Sequence, residues 1–377
     1  MPSSPTAAAG SERVAELTAL LTLWGAVPDP RARRGVRYPL SQLLAVGLSA
    51  VMAGARSFAA IGEWAAAQTP AATTGDEPGR APDDAPDEST FRRVFAGLDA
   101  DALAAVIGAW LWTRTTVRGE HRVLAIDGKT IRGARRRDRG APHLVAALDH
   151  TSGTVLGQLA VAAKSNEIPA VRTLLAGFDL AGVVVTVDAM HTQHDTARAI
   201  LGAGGNDVFT VKNNQPTLYT ACKNLPWADV PPRRVLSRGP GRRSRRTIKV
   251  IDAPAWVDFT GAAQIAQLRR TVTRQGRRSV DVVYLITSAS HLTASPATLA
   301  AWVHRHWGIE NRLHWVRDVT FDEDRSQVHT PNAPHVMATV GNTAISLLRL
   351  AGWTNIAAAQ RHHARRTPTP APPTLTC

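Results

Sequence analysis

The sequence predicts an α/β protein in which an α-helical N-terminal domain precedes a mixed β-sheet with helices on its faces. Apolar residues recur at helical spacing within residues 11–68. From residue 121 onwards, short apolar runs are separated by Gly, Asp and Arg clusters, which is a strand–turn–strand pattern. Because three such runs are followed by alternating helix and strand, we expect one mixed sheet covered by helices.

Residues 1–68 are predicted to form the helical N-terminal domain. Leu17, Leu20 and Leu21 fall at helical spacing, and Leu40–Ala55 has the composition of a buried helix. That segment is shorter than the ~20 residues of a membrane span, and polar residues interrupt it. A Pro-bounded loop between the two helices is basic and carries Arg31, Arg33, Arg34 and Arg37. The sequence leaves open whether the domain binds an anionic partner or only caps apolar surface.

Two segments connect this domain to the sheet. Residues 69–87 are rich in Pro, Gly, Asp, Ala and Thr and are predicted to be a flexible linker. Residues 88–120 are predicted to be a helical lead-in, which Asp87 or Ser89 would cap. Its apolar stripe consists of Phe91, Val94, Phe95 and Leu98.

Residues 121–218 are predicted to form the first part of the core. Helices are expected at Ile168–Leu175 and from about Thr192 to Leu201. The expected strands are Val123–Ile126, Leu144–Leu148, Val155–Ala162, Val183–Val187 and Asp207–Val211.

Residues 219–290 break this alternation and are predicted to be a basic, β-rich insertion. Its expected strands are Thr247–Ile251, Gln267–Thr273 and Val280–Thr287. Before them, basic residues crowd between Pro and Gly, and we expect a loop that lies along phosphates. That cluster consists of Arg233, Arg234, Arg238, Arg242, Arg243, Arg245, Arg246 and Lys249. Residues 291–366 return to a helical pattern and complete the core, and the Pro-rich tail 367–377 is predicted to be disordered.

The charge of the chain favours a polyanionic partner. Lys and Arg number 44 against 30 Asp and Glu, which gives a net charge of +14, and only five of the cations are lysines. Arginine binds phosphate well because its planar fork contacts two oxygens at once. Two cysteines, Cys222 and Cys377, cannot form a disulfide framework, and the N-terminus does not resemble a signal peptide. We therefore expect a cytoplasmic protein without a membrane segment.

Three carboxylates stand in well-marked settings. Asp127 and Asp188 each follow an apolar, strand-like run, and Glu310 lies in a Trp-rich amphipathic segment. Carboxylate oxygens are the ligands that Mg²⁺ prefers, so the three acids predict a metal site. In a basic protein this site suggests cutting and joining nucleic acid.

Each acid has a structural alternative that the residues alone leave open. Asp127–Gly128 is also a hairpin-turn signal, and Asp188 can serve as a helix N-cap. Glu310, with Trp307 and His306 expected on the same helix face, can be a surface residue. The rival third carboxylates are Asp318, Asp322, Glu323 and Asp324. Nearby His191 and His194 are more typical of local hydrogen bonding than of a zinc site.

Several long motifs resemble those of one family. They are Ala-Ile-Asp-Gly-Lys-Thr-Ile-Arg-Gly, Val-Asp-Ala-Met-His-Thr-Gln, Val-Lys-Asn-Asn-Gln-Pro and His-Trp-Gly-Ile-Glu-Asn-Arg-Leu-His-Trp-Val-Arg-Asp-Val-Thr-Phe-Asp-Glu-Asp. In this order they resemble bacterial insertion-sequence DDE transposases of the H-repeat-associated kind, over about Leu17 to Arg365.

The resemblance implies a ribonuclease H-like core in which Asp127, Asp188 and Glu310 hold two Mg²⁺ ions, with Mn²⁺ as a substitute. It also implies that the gap of 122 positions between Asp188 and Glu310 contains the β-rich insertion. The chain departs from the wider superfamily's Tyr/Arg/Glu/Lys signature. Val303, His306 and Arg317 stand at its Tyr, Arg and Lys positions.

The implied partner is double-stranded DNA, both the terminal repeats of the element and the target, bound by a homodimer close to the nucleoid. Residues 1–68 would then be either a DNA-binding or a capping domain. The residues expected to bind DNA are Lys129, Arg132, Lys212, Arg242, Arg243, Arg245, Arg246, Arg305 and Arg317. Two alternatives stay open: a metal-dependent nuclease without strand transfer, and an inactive remnant that only binds DNA.

Overall fold

A computed structural model describes most of the chain. The described residues are 19–34, 36–68, 85–115, 117, 121–136, 140–162, 165–239, 242–275 and 277–365. Within them, the side chains of 235–239, 242–243 and 274 are left undescribed. Most of the predicted linker and the predicted disordered tail lie outside the described residues.

The N-terminal region is helical, as predicted. Its helices are residues 19–24 (α1), Leu40–Met52 (α2), Phe58–Gln68 (α3), Glu88–Gly97 (α4) and Ala100–Arg114 (α5). The apolar helix α2 is buried, with Leu43 and Leu44 almost inaccessible to solvent. Asp87 caps α4 by accepting a 2.8 Å hydrogen bond from the backbone N–H of Thr90. Among the described residues, no single helix is long and apolar enough to cross a membrane, although α4 and α5, bent by 89°, would pass as a pair by length and composition.

One nine-stranded mixed sheet forms the centre of the protein, which confirms the predicted α/β fold class. The strands are Arg122–Thr130 (β1), His143–Asp149 (β2), Val155–Ala160 (β3), Val183–Val187 (β4), Asn206–Val211 (β5), Arg233–Gly239 (β6), Arg242–Asp252 (β7), Gln264–Arg274 (β8) and Arg277–Thr287 (β9). Their order is β3-β2-β1-β4-β5-β9-β8-β7-β6. Among the five core strands, β4 runs parallel to β1 and β5, while β2 pairs antiparallel with β1 and β3.

The β-rich insertion extends the same sheet. Strand β9 pairs antiparallel with β5, so the four strands β6–β9 continue the core sheet at its edge. The predicted phosphate-binding loop is wrong, because β6 and β7 pair in antiparallel register there, with Arg234 opposite Thr247. The sequence has arginine-rich runs here instead of apolar alternation, so it carries no strand signal. These strands lie largely outside the apolar core.

Six further helices among the described residues lie between the strands or follow the last strand along the chain. They are Glu167–Leu175 (α6), His194–Gly202 (α7), Pro216–Lys223 (α8), Pro296–His306 (α9), Ala333–Leu350 (α10) and Ile356–Arg365 (α11). The helical pattern predicted for Ser295–Arg349 is interrupted by two π-helical turns, Glu310–His314 and Val316–Thr320. Helix α10 packs against α2, α4 and α5, so the N-terminal helices and the core share one hydrophobic cluster.

Candidate active site

Strand register brings Asp127 and Asp188 side by side. Ile126 on β1 and Val187 on β4 are partners in the parallel pair, and each acid is the next residue in its strand direction. Asp127 lies within β1, opposite Ala146, and β1 continues to Thr130, so the hairpin-turn interpretation is wrong. Asp188 accepts no capping hydrogen bond from described residues, so the N-cap interpretation is wrong as well.

The π-helical turn places Glu310 near Asp127, with His314 between the two acids. His314 Nδ1 lies 3.5 Å from Asp127 Oδ2 and 3.5 Å from Glu310 Oε2. One potential ligand atom from each of the three residues lies within 4.8 Å of the other two. Glu310 and His306 were expected on one helix face, but α9 ends at His306 and the two side chains contact different acids.

The rival third carboxylates each have a cationic partner. Asp318 pairs with Lys129, and Glu323 pairs with Arg317. Asp322 lies 3.4 Å from Arg56, and Asp324 lies 3.8 Å from Arg132. Glu310 is therefore the acid of this segment that the fold directs towards Asp127.

The electrostatics of the cluster favour a bound cation. Burial, followed by the charges of Asp188 and Glu310, raises the pKa of Asp127 to about 8. The neighbouring imidazole of His306 lowers the pKa of Asp188, and that of His314 lowers the pKa of Glu310. Like charges this close repel one another, and a divalent cation would relieve the repulsion.

His306 has a fixed position beside Asp188. Its Nε2 lies 3.6 Å from Asp188 Oδ1, and its Nδ1 lies 2.9 Å from the hydroxyl oxygen of Thr186. That hydroxyl lies 3.1 Å from the carbonyl oxygen of Leu124 and 3.2 Å from His150 Nε2. The His306 imidazole is thus anchored to the sheet and faces Asp188.

A fourth carboxylate, which sequence reasoning missed, lies close to Asp127 and next to Gly128. Glu167, in the first turn of α6, has Oε1 2.6 Å from His143 Nε2 and Oε2 3.3 Å from His191 Nε2. Burial alone would raise the Glu167 pKa, but the hydrogen bonds with the two histidines lower it to about 2. In the sequence, Glu167 has only the appearance of a helix first-turn residue, since Asn166 caps the helix.

Gly128 gives Glu167 the space that it occupies. A Cβ atom at residue 128 would lie 2.5 Å from both carboxylate oxygens of Glu167. Because two histidines hold that carboxylate, it cannot move away without breaking their hydrogen bonds. We expect Gly128→Ala to lower the free energy of unfolding by ~1–3 kcal/mol, measured by denaturant titration.

The matched control for that prediction is Gly341→Ala in α10, where no described heavy atom lies within 4 Å of the added Cβ. This control should be neutral or stabilising, because alanine is the better helix former. Equal stabilities of Gly128→Ala and the unaltered chain would contradict the proposed packing of Glu167.

Two residues expected to bind DNA form ion pairs with acids of the same chain. Arg317 is only 1% exposed, and its guanidinium donates to both oxygens of Glu323 at 2.7 and 2.8 Å. Lys129 is 9% exposed and pairs with Asp318. A phosphate cannot reach Arg317 in this structure, so Arg317 is corrected to a buried ion pair. DNA binding by Lys129 stays a prediction, because its partner Asp318 is 34% exposed.

The other expected DNA-binding residues stand closer to solvent. Arg132, Lys212, Arg245 and Arg305 are exposed, and Lys212 acts on Asp188 to lower its pKa after the contribution of His306. The guanidinium carbons of Arg246 and of Arg270 each lie 5.9 Å from the centre of a Trp307 ring. Arg242 and Arg243 lie on β7, and their side chains are outside the described set.

Comparison with known proteins identifies the class. Residues 118–347 match the family described as Transposase DDE domain, and residues 22–111 match the DDE_Tnp_1-associated family. The chain therefore belongs to the DDE transposase family. Membership of this family implies a nuclease or transposase enzyme and a divalent metal.

Individual relatives agree with the predicted kind of transposase. The chain is 30% identical to "Putative transposase YncI" of Escherichia coli O157:H7, covering 88% of both proteins. It is 29% identical to "H repeat-associated putative transposase YhhI" of Escherichia coli K12, covering 88% of this chain and 91% of that protein. A cryo-EM structure of a piggyBac transposase synaptic complex with hairpin DNA aligns with TM-score 0.43 and 10% identity over 92% of this chain and 79% of that one.

Proposed function

We propose that this protein is a transposase that cuts DNA at the ends of its own insertion sequence and joins those ends to target DNA. The proposal is supported by the cluster of Asp127, Glu310 and His314, with Asp188 following the strand next to Asp127, in a member of the DDE family. Three separated parts of the chain supply these acids, and the fold brings them together.

The donor set fits a divalent cation. Asp127 and Glu310 offer oxygens close to one another. Burial, followed by the charges of the neighbouring carboxylates, raises the pKa of Asp127, and a bound cation would offset both effects. We propose that Asp127, Asp188 and Glu310 hold two Mg²⁺ ions, which Mn²⁺ can replace. Such ions lower the pKa of an attacking water and stabilise the leaving oxygen. His306 keeps Asp188 oriented, and no covalent bond between protein and DNA is required.

A cationic surface next to Asp188 suits a DNA backbone. Lys212 and Trp307 line one cleft beside Asp188, and Arg246 and Arg270 approach the ring of Trp307. Burial, followed by the charges of Arg246, Arg305 and Arg270, lowers the pKa of His304, which reports the same concentration of positive charge. We propose that the strand to be cut lies over Trp307 with its phosphates against these cations.

We predict that the triple variant Arg246→Gln, Arg270→Gln and Arg305→Gln has a weaker salt dependence of DNA binding. Each lost phosphate contact lowers the log–log slope by nearly one unit, so the expected loss is about three units. Binding should weaken for all sequences, because phosphates carry no base identity. Fluorescence anisotropy across a series of salt concentrations measures the slope.

The opposite face of the same strands provides a matched control. Arg234 and Arg269 both pair with Thr247, and Arg245 lies two residues before it, so the three share the face away from Arg246. Replacing these three arginines with Gln removes the same charge. An equal loss of slope in both triple variants would contradict a single track over Trp307 and extend the contact to Arg245.

The N-terminal domain has two proposed roles. Its helix α2 packs against α10, and its basic loop lines a cleft with Arg31, Arg34 and Arg37 beside Arg93 of α4. We propose that residues 1–68 cap the core and also recognise the end of the element, and that the DNA-bound form is a homodimer in the bacterial cytoplasm. A chain beginning at residue 88 should lose selectivity for the terminal repeat if it stays in solution.

Cleavage of the element's own ends tests the proposed function. A duplex that contains the short inverted repeat flanking the gene is incubated with the purified chain and Mg²⁺ or Mn²⁺. We expect metal-dependent breaks at the end of the repeat and no breaks in EDTA. Tight DNA binding without cleavage in either metal would favour the inactive remnant.

A further inference from the structure

We propose that His314 is a direct ligand of the metal held by Asp127 and Glu310, through its Nδ1 atom. The inference rests on the proposed function and adds a nitrogen donor to a site otherwise built from carboxylates. Sequence reasoning did not single out this histidine, because its four-residue distance from Glu310 resembles ordinary helix-surface spacing.

The geometry of the three donors supports a shared ion. His314 Nδ1 is 3.5 Å from one oxygen of each acid, and the three donor atoms lie within 4.8 Å of one another. Ligands of one ion at about 2.1 Å are separated by about 3–4 Å. The observed separations therefore need only small side-chain movements to close around a cation.

The ring of His314 is buried and directs its Nδ1 atom towards the two acids. His314 is 7% exposed, and its Nε2 has no hydrogen-bond partner among the described residues. All polar contacts described for the ring are therefore on Nδ1, which faces the two acids. The backbone N–H of Trp315 donates to the carbonyl of Glu310, and this wide π-helical turn holds Glu310 and His314 on the same side.

The two histidines of the site have different roles. His306 contacts Asp188 and is tied to Thr186, whereas His314 lies between Asp127 and Glu310. The Asp127 side of the site then has mixed nitrogen and oxygen donors. Imidazole suits transition metals better than Mg²⁺, so Mn²⁺ should bind here more tightly than Mg²⁺.

Pulsed electron paramagnetic resonance of bound Mn²⁺ tests the proposal without an activity assay. We expect the unaltered full-length chain to bind Mn²⁺ with a ¹⁴N coupling typical of a directly bound imidazole. Growth on ¹⁵N-histidine should replace that coupling with the ¹⁵N pattern, which identifies histidine without any mutation. His314→Gln should lose the coupling and raise the Mn²⁺ Kd about tenfold or more.

The matched control is His194→Gln, because His194 Nδ1 bonds the hydroxyl of Thr260 away from the acids. This variant should retain the coupling. Mn²⁺ binding by the unaltered chain without nitrogen coupling, or an unchanged coupling in His314→Gln, would overturn this inference alone. Failure of the unaltered chain to bind Mn²⁺ would overturn the proposed function together with it.

Discussion

Asp127→Asn, Asp188→Asn and Glu310→Gln are each expected to abolish Mg²⁺-dependent DNA cleavage while leaving DNA binding intact. Each change preserves the shape of the side chain and removes one of the charges that would hold the metal. Because the three acids act as one unit, combining two substitutions should add little to the loss from one. Cleavage rates on the terminal-repeat duplex, with anisotropy for binding, measure both parts of the prediction.

Asp195→Asn is the control for these substitutions, since Asp195 is exposed and pairs with Arg172 and Arg198 instead of with the acidic cluster. It should cleave like the unaltered chain. Near-normal cleavage by Glu310→Gln would remove Glu310 from the site and return the third role to Asp318, Glu323 or Asp324. Loss of DNA binding in all three variants would indicate a folding defect in place of a chemical one.

Arg317→Met is expected to have the largest effect on stability. The substitution keeps the bulk of the side chain but leaves the carboxylate of Glu323, which is 13% exposed, without its partner. Removing one member of a buried ion pair costs about 3–5 kcal/mol, because the remaining charge stays desolvated. Denaturant titration of the purified variant measures the change.

Arg325→Met is the matched control, since Arg325 is 85% exposed and lies 3.9 Å from Asp322. Its cost should be within about 1 kcal/mol. The double variant Arg317→Met with Glu323→Gln should recover part of the loss, because neither charge is then left alone. A cost for Arg317→Met as small as that of Arg325→Met would contradict the buried pair.

The sequence predicted the core strands and the two aspartates for a clear physical reason. Buried strands appear as apolar runs, and both Asp127 and Asp188 interrupt such runs at points where an isolated carboxylate is costly. Parallel register then brings the two acids side by side on neighbouring central strands of the sheet. Glu310 could be chosen among its neighbours only through the family resemblance, because its own segment has no periodic signal for a π-helical turn.

What the sequence could not predict depends on contacts between distant residues. Glu167 meets His143 and His191 across 24 positions in each direction, and no local pattern records that meeting. Arg317 and Lys129 have the charge expected of DNA-binding residues, yet each forms an ion pair with an acid of the same chain. Net charge is a property of composition, whereas the availability of each cation is decided by packing.

The joining of DNA ends tests most directly whether this protein acts as a transposase. A duplex that ends in the terminal repeat with an exposed 3′-hydroxyl is incubated with the protein, Mg²⁺ and a supercoiled target plasmid. We expect repeat strands covalently joined to the plasmid, and no joined product with Glu310→Gln. Cleavage of the repeat without any joined product, under conditions in which the protein remains active, would contradict a transposase and assign the site to a nuclease.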